Sequence, residues 1–305
     1  MSWESAKLGI WLSLVVTLLV SHIAVGGPVV SMPGPVDIEG TRSRRQLWLV
    51  PSTDPSVLMR TTVFRPPGEG PFPLVVMNHG TAQNPVQRQY FPLLEFEAAA
   101  LWFVEQGFVV AAPQRPGYGE TGGIFLEDQA NCAPSDFLNA GRAGAADIQS
   151  AIDYMTTQSF VLKDRVVVVG QSAGGWDTLA LASQNPPMVR VGIDFEGGRG
   201  GHFDGKPNNN CRPDNLVAAA RELGSTAQIP LLMIYTQNDT FFGPALSKRL
   251  YEAWTEAGGI GEYHLLAPFK EDGHFLVDYP NSVPVWSPIV MKCLGRHPGN
   301  GLASR

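Results

Sequence analysis

Cysteine is almost absent from this chain, with three in 305 residues, and histidine is scarce, with six. No two cysteines form a C-x-x-C pair and no two histidines an H-x-x-x-H pair, so the spacing of common zinc sites is missing. Basic residues are outnumbered, 22 against 28 acidic, and no basic cluster is longer than Arg42-Ser43-Arg44-Arg45. A net charge of −6 offers nucleic acid no attractive field. No Gly-Lys-Ser or Gly-Lys-Thr ends a phosphate loop, and no internal repeat or splitting linker interrupts the chain. These absences exclude a nucleic-acid-binding protein, a metal centre and a phosphate-loop nucleotidase from the expectations.

The longest apolar run near the start, Leu8 to Val20, follows Lys7 and is followed by Ala24-Val25-Gly26. It is short for a membrane span and reads as a secretory leader over residues 1–26, cut near Gly26. The expectation is a secreted or periplasmic protein with no stable membrane association after cleavage; an uncleaved N-terminal anchor is the alternative. Export permits a disulfide, and three cysteines leave one over. Cys132 and Cys211 stand in polar loop sequence while Cys293 lies in the helix-like Ile289 to Leu294, so the expected bridge is Cys132 to Cys211.

Residues 27–45 mix proline, glycine and arginine without period and read as an extended lead-in to a single domain over 46–305. Strand-like runs follow at 46–50, 58–64, 74–77, 108–112, 166–169, 191–195, 231–235 and 263–266. Several are continuously apolar, as in strands covered on both faces. Helical patterns fall between them at 93–106, 143–156, 173–182, 215–223, 244–257 and 285–294. Such alternation predicts an α/β fold with a mostly parallel, twisted, eight-stranded sheet, helices on both faces and an antiparallel leading edge. Two loops, 114–140 and 197–214, are too long to be simple connections. Both would leave the carboxyl ends of central strands, where open α/β sheets bind ligands.

Chemistry concentrates at Gly170-Gln171-Ser172-Ala173-Gly174, between the run Arg165 to Val169 and the helical Gly175 to Ala182. That is the G-x-S-x-G nucleophile elbow in the strand-turn-helix setting it requires. A serine hydroxyl is a poor nucleophile at neutral pH and needs a histidine to take its proton and a carboxylate to orient that histidine. Behind such an elbow the chain order is serine, acid, histidine. Asp239, just past the strand 231–235, and His274, in a loop after the last strand, satisfy that order 35 residues apart. His264 falls inside a strand and reads as packed, Asp272 as a loop carboxylate and His297 as tail. Asp194 and Glu196, ending the preceding strand, are an alternative source of the acid. The oxyanion expected at the attacked carbonyl needs backbone donors. Ala173 supplies one, and Thr81, in Asn78-His79-Gly80-Thr81 after the strand 74–77, supplies the other; His79 shapes that loop.

On His79-Gly80, Arg115-Pro116-Gly117-Tyr118-Gly119, Gly170 to Gly174, Asp239 and Gly273-His274, the chain resembles the α/β-hydrolase superfamily over roughly residues 46–294, closest to its dienelactone-hydrolase-like and prolyl-oligopeptidase-like esterases. The dienelactone hydrolases proper carry cysteine where Ser172 stands. The resemblance implies a carboxylic ester hydrolase working through an acyl-enzyme on a small-molecule ester, with no metal or organic cofactor. A serine peptidase or acyltransferase on the same fold, and a non-catalytic binding protein, are the alternatives. The stretch ahead of residue 46 is too short for a propeller, which counts against a large gated oligopeptidase. Tyr118, Phe241, Phe242 and Phe275 are expected to line the substrate pocket and His202 to touch substrate, whereas Trp176, one turn beyond Ser172, reads as core.

Overall fold

The computed structural model describes residues 32–82 and 84–296. The expected leader and the His297 tail lie outside them. In chain order the elements are β1 (Gly34–Pro35), β2 (Gln46–Pro51), β3 (Leu58–Phe64), β4 (Phe72–Asn78), α1 (Pro85–Gln89), α2 (Glu97–Glu105), β5 (Val109–Pro113), α3 (Phe137–Met155), β6 (Val161–Gln171), α4 (Ala173–Ser183), β7 (Val189–Phe195), α5 (Pro213–Gly224), β8 (Leu231–Thr236), α6 (Pro244–Glu256), β9 (Gly261–Leu266) and α7 (Val283–Arg296).

The strands form one sheet in the order β1-β2-β3-β5-β4-β6-β7-β8-β9. The run from β1 to β5 is antiparallel, and every pairing from β5 through β4 to β9 is parallel. There are nine strands among the described residues rather than eight. The extra one comes from the lead-in, where Gly34 and Pro35 pair with Leu49 and Trp48. A two-residue strand has no alternation to read, so the pattern could not show it.

Continuous apolar strands are explained by two cores, one on each face. In β6, Val166 and Val168 pack with α3, α4, α5 and α6, while Val167 and Val169 pack with α2 and α7. Because successive side chains point to opposite faces, a strand clad on both sides must be apolar at every position. Trp176 is fully buried, its Nε1 donating to Phe137 O at 2.8 Å, in agreement with a core role.

Two helix starts differ from expectation. Helix α3 begins at Phe137, not 143, because Asp136 accepts from Asn139 N at 2.9 Å and caps it. The first rim loop accordingly ends at Asp136 rather than Ala140. Helix α2 begins only at Glu97, since Phe96 adopts a left-handed conformation with φ 48°.

Candidate active site

β6 ends at Gln171 and α4 begins at Ala173, leaving Ser172 alone in the turn with φ 55° and ψ −120°. That backbone is costly for a residue with a side chain and persists only where its surroundings enforce it. Glycines make the enforcement possible: a Cβ on Gly170 would stand 2.0 Å from Gly174 O, and one on Gly174 2.3 Å from Asn78 O. Ser172 N donates to Phe195 O at 3.0 Å and Gly198 N donates to Ser172 O at 3.1 Å, pinning the turn to the end of β7.

Beside it runs the loop after β4. A Cβ on Gly80 would lie 3.0 Å from Ser172 Cβ and 3.5 Å from its Oγ, so the backbone leading into Thr81 touches the serine. His79 is buried and its Nε2 accepts from Arg115 N at 3.1 Å, which leaves the proton on Nδ1 to donate to Gly80 O at 2.7 Å. Burial, reinforced by the neighbouring Arg115 charge, pushes this imidazole down to about 3. It is neutral at any working pH and serves as a strut.

Asp239 follows β8. Its Oδ1 accepts from Phe241 N at 2.7 Å and Phe242 N at 2.9 Å, while Oδ2 lies 3.3 Å from His274 Nδ1. A carboxylate only accepts, so His274 Nδ1–H donates and Nε2 is left as the ring's acceptor. The imidazole is 2% exposed and stacks on Phe241 at 4.0 Å. Its loop is held by Gln171 Nε2 donating to His274 O at 2.8 Å and by Asp272, whose carboxylate accepts from His274 N, Thr240 N and Thr240 Oγ1. Asp272, read as a plain loop carboxylate, therefore ties the acid's turn to the base's turn. The structure joins His274 to Asp239 directly; it does not join Ser172 Oγ to His274 by a hydrogen bond, a contact that in unliganded sites often tightens only with substrate.

The alternative acid is not joined to the histidine. Both Glu196 carboxyl oxygens are buried without a partner, and burial, with Asp239 and Asp194 next to it, drives this carboxyl well above the usual range. Asp194 is pushed up to about 8 by burial and sits 3.0 Å from the Tyr235 hydroxyl. His264 bonds Glu262 on the sheet's edge strand.

Ser172 and Thr81 open onto a cavity of about 280 Å³, with Phe241 and Phe242 in its wall. Cys132 and Cys211 are also in that wall and are bridged, with Cα atoms 5.3 Å apart at a sequence separation of 79. The bridge joins the two long loops across the cavity. Thiol titration of the unreduced, denatured protein is expected to count one free cysteine, the buried Cys293; three would rule the bridge out.

Three of the expected pocket residues are elsewhere. Tyr118 is fully buried and absent from the cavity wall; positive φ at Gly117 (86°) and Gly119 (44°) turns the chain so that its ring lies edge-on to His79 at 4.6 Å. Phe275 is 39% exposed and packs edge-on against Phe241 and His274 from outside the cavity. His202 also lies outside the wall: it stacks on Phe241 at 3.5 Å, with Nε2 2.8 Å from Thr240 Oγ1. Phe241 is thus held between two imidazoles. Sequence reasoning missed Glu127 and Arg199, both buried in the cavity wall, because isolated charges in loop sequence carry no sign of the ion pairs that bury them.

With nucleophile turn, acid turn and histidine at the carboxyl ends of β6, β8 and β9 of a mostly parallel sheet, the fold is that of the α/β-hydrolases. Residues 94–197 match the sequence model of the prolyl oligopeptidase family. No curated protein matches the chain. Among solved structures it is similar to the acylaminoacyl peptidase of Pyrococcus horikoshii at 16% identity and a TM-score of 0.59, covering 83% of this chain and 41% of that one. The chain therefore spans less than half the length of that peptidase. An acetyl xylan esterase from Paenibacillus sp. R4 is similar at 15% identity and a TM-score of 0.57, covering 87% of this chain and 88% of that one. The esterase Pf2001 of Pyrococcus furiosus is similar at 14% identity and a TM-score of 0.58, with 87% and 100% covered. The chain thus has the α/β-hydrolase fold, and its residues 94–197 are similar to the prolyl oligopeptidase family.

Proposed function

We propose that the chain is a serine hydrolase that cleaves small carboxylic esters through an acyl-enzyme on Ser172. The observation that carries the reading is the His274–Asp239 pair, anchored by two backbone amides, beside the aromatic wall of the cavity into which a strained Ser172 opens. Ser172 Oγ attacks the carbonyl carbon as His274 Nε2 takes its proton. The resulting oxyanion is met by the amides of Thr81 and Ala173, and the C–O bond to the alcohol breaks as His274 returns the proton to it. Water then repeats the sequence on the acyl-enzyme and frees the acid.

Small esters are favoured over peptides by the cavity's modest volume and by the bridge that closes it, although the family match keeps peptide-bond cleavage as the competing reading. The bridge also supports the proposal that the protein works in an oxidising compartment, as the leader-like N-terminus suggests.

A fluorophosphonate probe tests the enzyme reading. It is expected to label the wild-type chain stoichiometrically at Ser172 and not to label Ser172→Ala; an unreactive wild-type protein would sink the claim. Comparing kcat/KM for matched ester and amide substrates then separates esterase from peptidase.

A further inference from the structure

Four charged side chains are buried together beside the elbow. Arg115 donates from Nε to Glu127 Oε1 at 2.5 Å, and Arg199 donates from Nη2 to Glu127 Oε2 and to Asp177 Oδ1, both at 2.7 Å. Arg115 Nη2 lies 3.4 Å from Asp177 Oδ2, which closes the ring. None of the four is more than 3% exposed. Such a cluster is a poor way to gain stability, since desolvating the ions can cost more than their attraction returns.

Its members come from separate segments around Ser172. Asp177 lies on α4 behind the nucleophile, Glu127 on the first rim loop, and Arg199 next to Gly198, whose amide bonds the Ser172 carbonyl. Arg115 grips the oxyanion loop directly: its backbone N–H donates to His79 Nε2 at 3.1 Å and its Nη2 to His79 O at 2.9 Å. Tyr118 completes the link. Its hydroxyl lies 3.1 Å from Glu127 Oε2, a carboxylate that can only accept its single proton, and 2.8 Å from Thr81 Oγ1, on the residue whose amide would meet the oxyanion.

We propose that this tetrad is the device that sets the oxyanion loop, with Glu127 and Tyr118 as positioning residues that act on the reaction through Thr81. The proposal rests on the serine-hydrolase reading above. The electrostatics suit a fixed frame. Burial alone would raise Glu127, but the two arginines hold it well below the usual carboxylate range, so it stays an acceptor. Burial, with Glu127's charge beside it, pushes the Tyr118 phenol above its ordinary value, so it stays a donor. Donors aimed at a developing oxyanion act at short range, and a small displacement of the Thr81 amide is enough to lose their effect.

The test is a double-mutant cycle on the Tyr118 to Thr81 contact, with a short p-nitrophenyl ester as substrate. Tyr118→Phe and Thr81→Val each delete one side of the bond and keep the backbone amide. Each is expected to lower kcat by about tenfold or more with KM nearly unchanged, and to slow fluorophosphonate labelling of Ser172 in parallel. The double variant is expected to lose little beyond either single one, because both remove the same contact. Glu127→Gln is expected to give the same kcat loss; should it fail to fold, the cycle still decides. Unchanged kcat in Tyr118→Phe, a loss confined to KM, or additive losses in the double variant would overturn the proposal. A wild-type protein that never reacts with the phosphonate refutes the hydrolase reading instead, so the two failures are distinguishable.

Discussion

Replacing His274 by alanine is expected to lower kcat for a short p-nitrophenyl ester by about 10⁴-fold or more, because no other group near Ser172 can take its proton. The alternatives are accounted for one by one. His79 is held neutral, with Nε2 occupied by the Arg115 amide and Nδ1 by the Gly80 carbonyl. His202 stacks on Phe241 with its Nε2 engaged by Thr240. His264 is paired with Glu262 on β9. The matching control is His264→Ala, for which most of the activity should remain. Near wild-type rates in His274→Ala, or loss in His264→Ala with His274→Ala active, would refute the base assignment.

The second large effect is expected from Asp239→Asn, a loss of about 10³–10⁴-fold in kcat with the fold intact. In the wild-type protein Asp239 Oδ1 accepts two backbone amides, and His274 Nδ1 lies 3.2 Å from Oδ1 and 3.3 Å from Oδ2, so the carboxylate can only accept the Nδ1 proton. An amide keeps one acceptor for the backbone and presents an NH₂ to the imidazole. That pairing favours the tautomer with the proton on Nε2, where it blocks attack by Ser172. Glu196→Gln is the companion variant: because neither Glu196 oxygen bonds His274, its kcat should stay within a few-fold of wild type. The reverse pattern, a severe loss in Glu196→Gln and little in Asp239→Asn, would move the acid to the end of β7.

The residues singled out for chemistry were legible because each announces itself locally. A serine among glycines between an apolar run and a helical one has few backbone options, and Ser172 adopts the strained turn that such a stretch implies. Asp239 follows the buried strand β8, whereas His274 follows the half-buried edge strand β9 and was reached through the serine, acid, histidine chain order. The cysteine pair was readable because Cys132 and Cys211 stand in polar loops and Cys293 does not.

Aromatic residues near a motif were less informative. Phe241 and Phe242 line the cavity, yet Tyr118 turns inward to the oxyanion loop, while Phe275 and His202 cover Phe241 and His274 from outside. Proximity in sequence does not specify which way a ring faces when glycines with positive φ set the turn.

The succession of strands and helices along the chain, the two-faced burial and the serine elbow were thus determined by the sequence alone, since periodicity and turn chemistry are local properties. What only the tertiary structure decided is how that elbow is supported. The ring of Arg115, Glu127, Arg199 and Asp177, the Asp272 clamp and the sandwich around Phe241 join residues up to 72 positions apart. Charges of this kind are tolerated inside a protein only when folding brings their partners together, and no local pattern records that meeting.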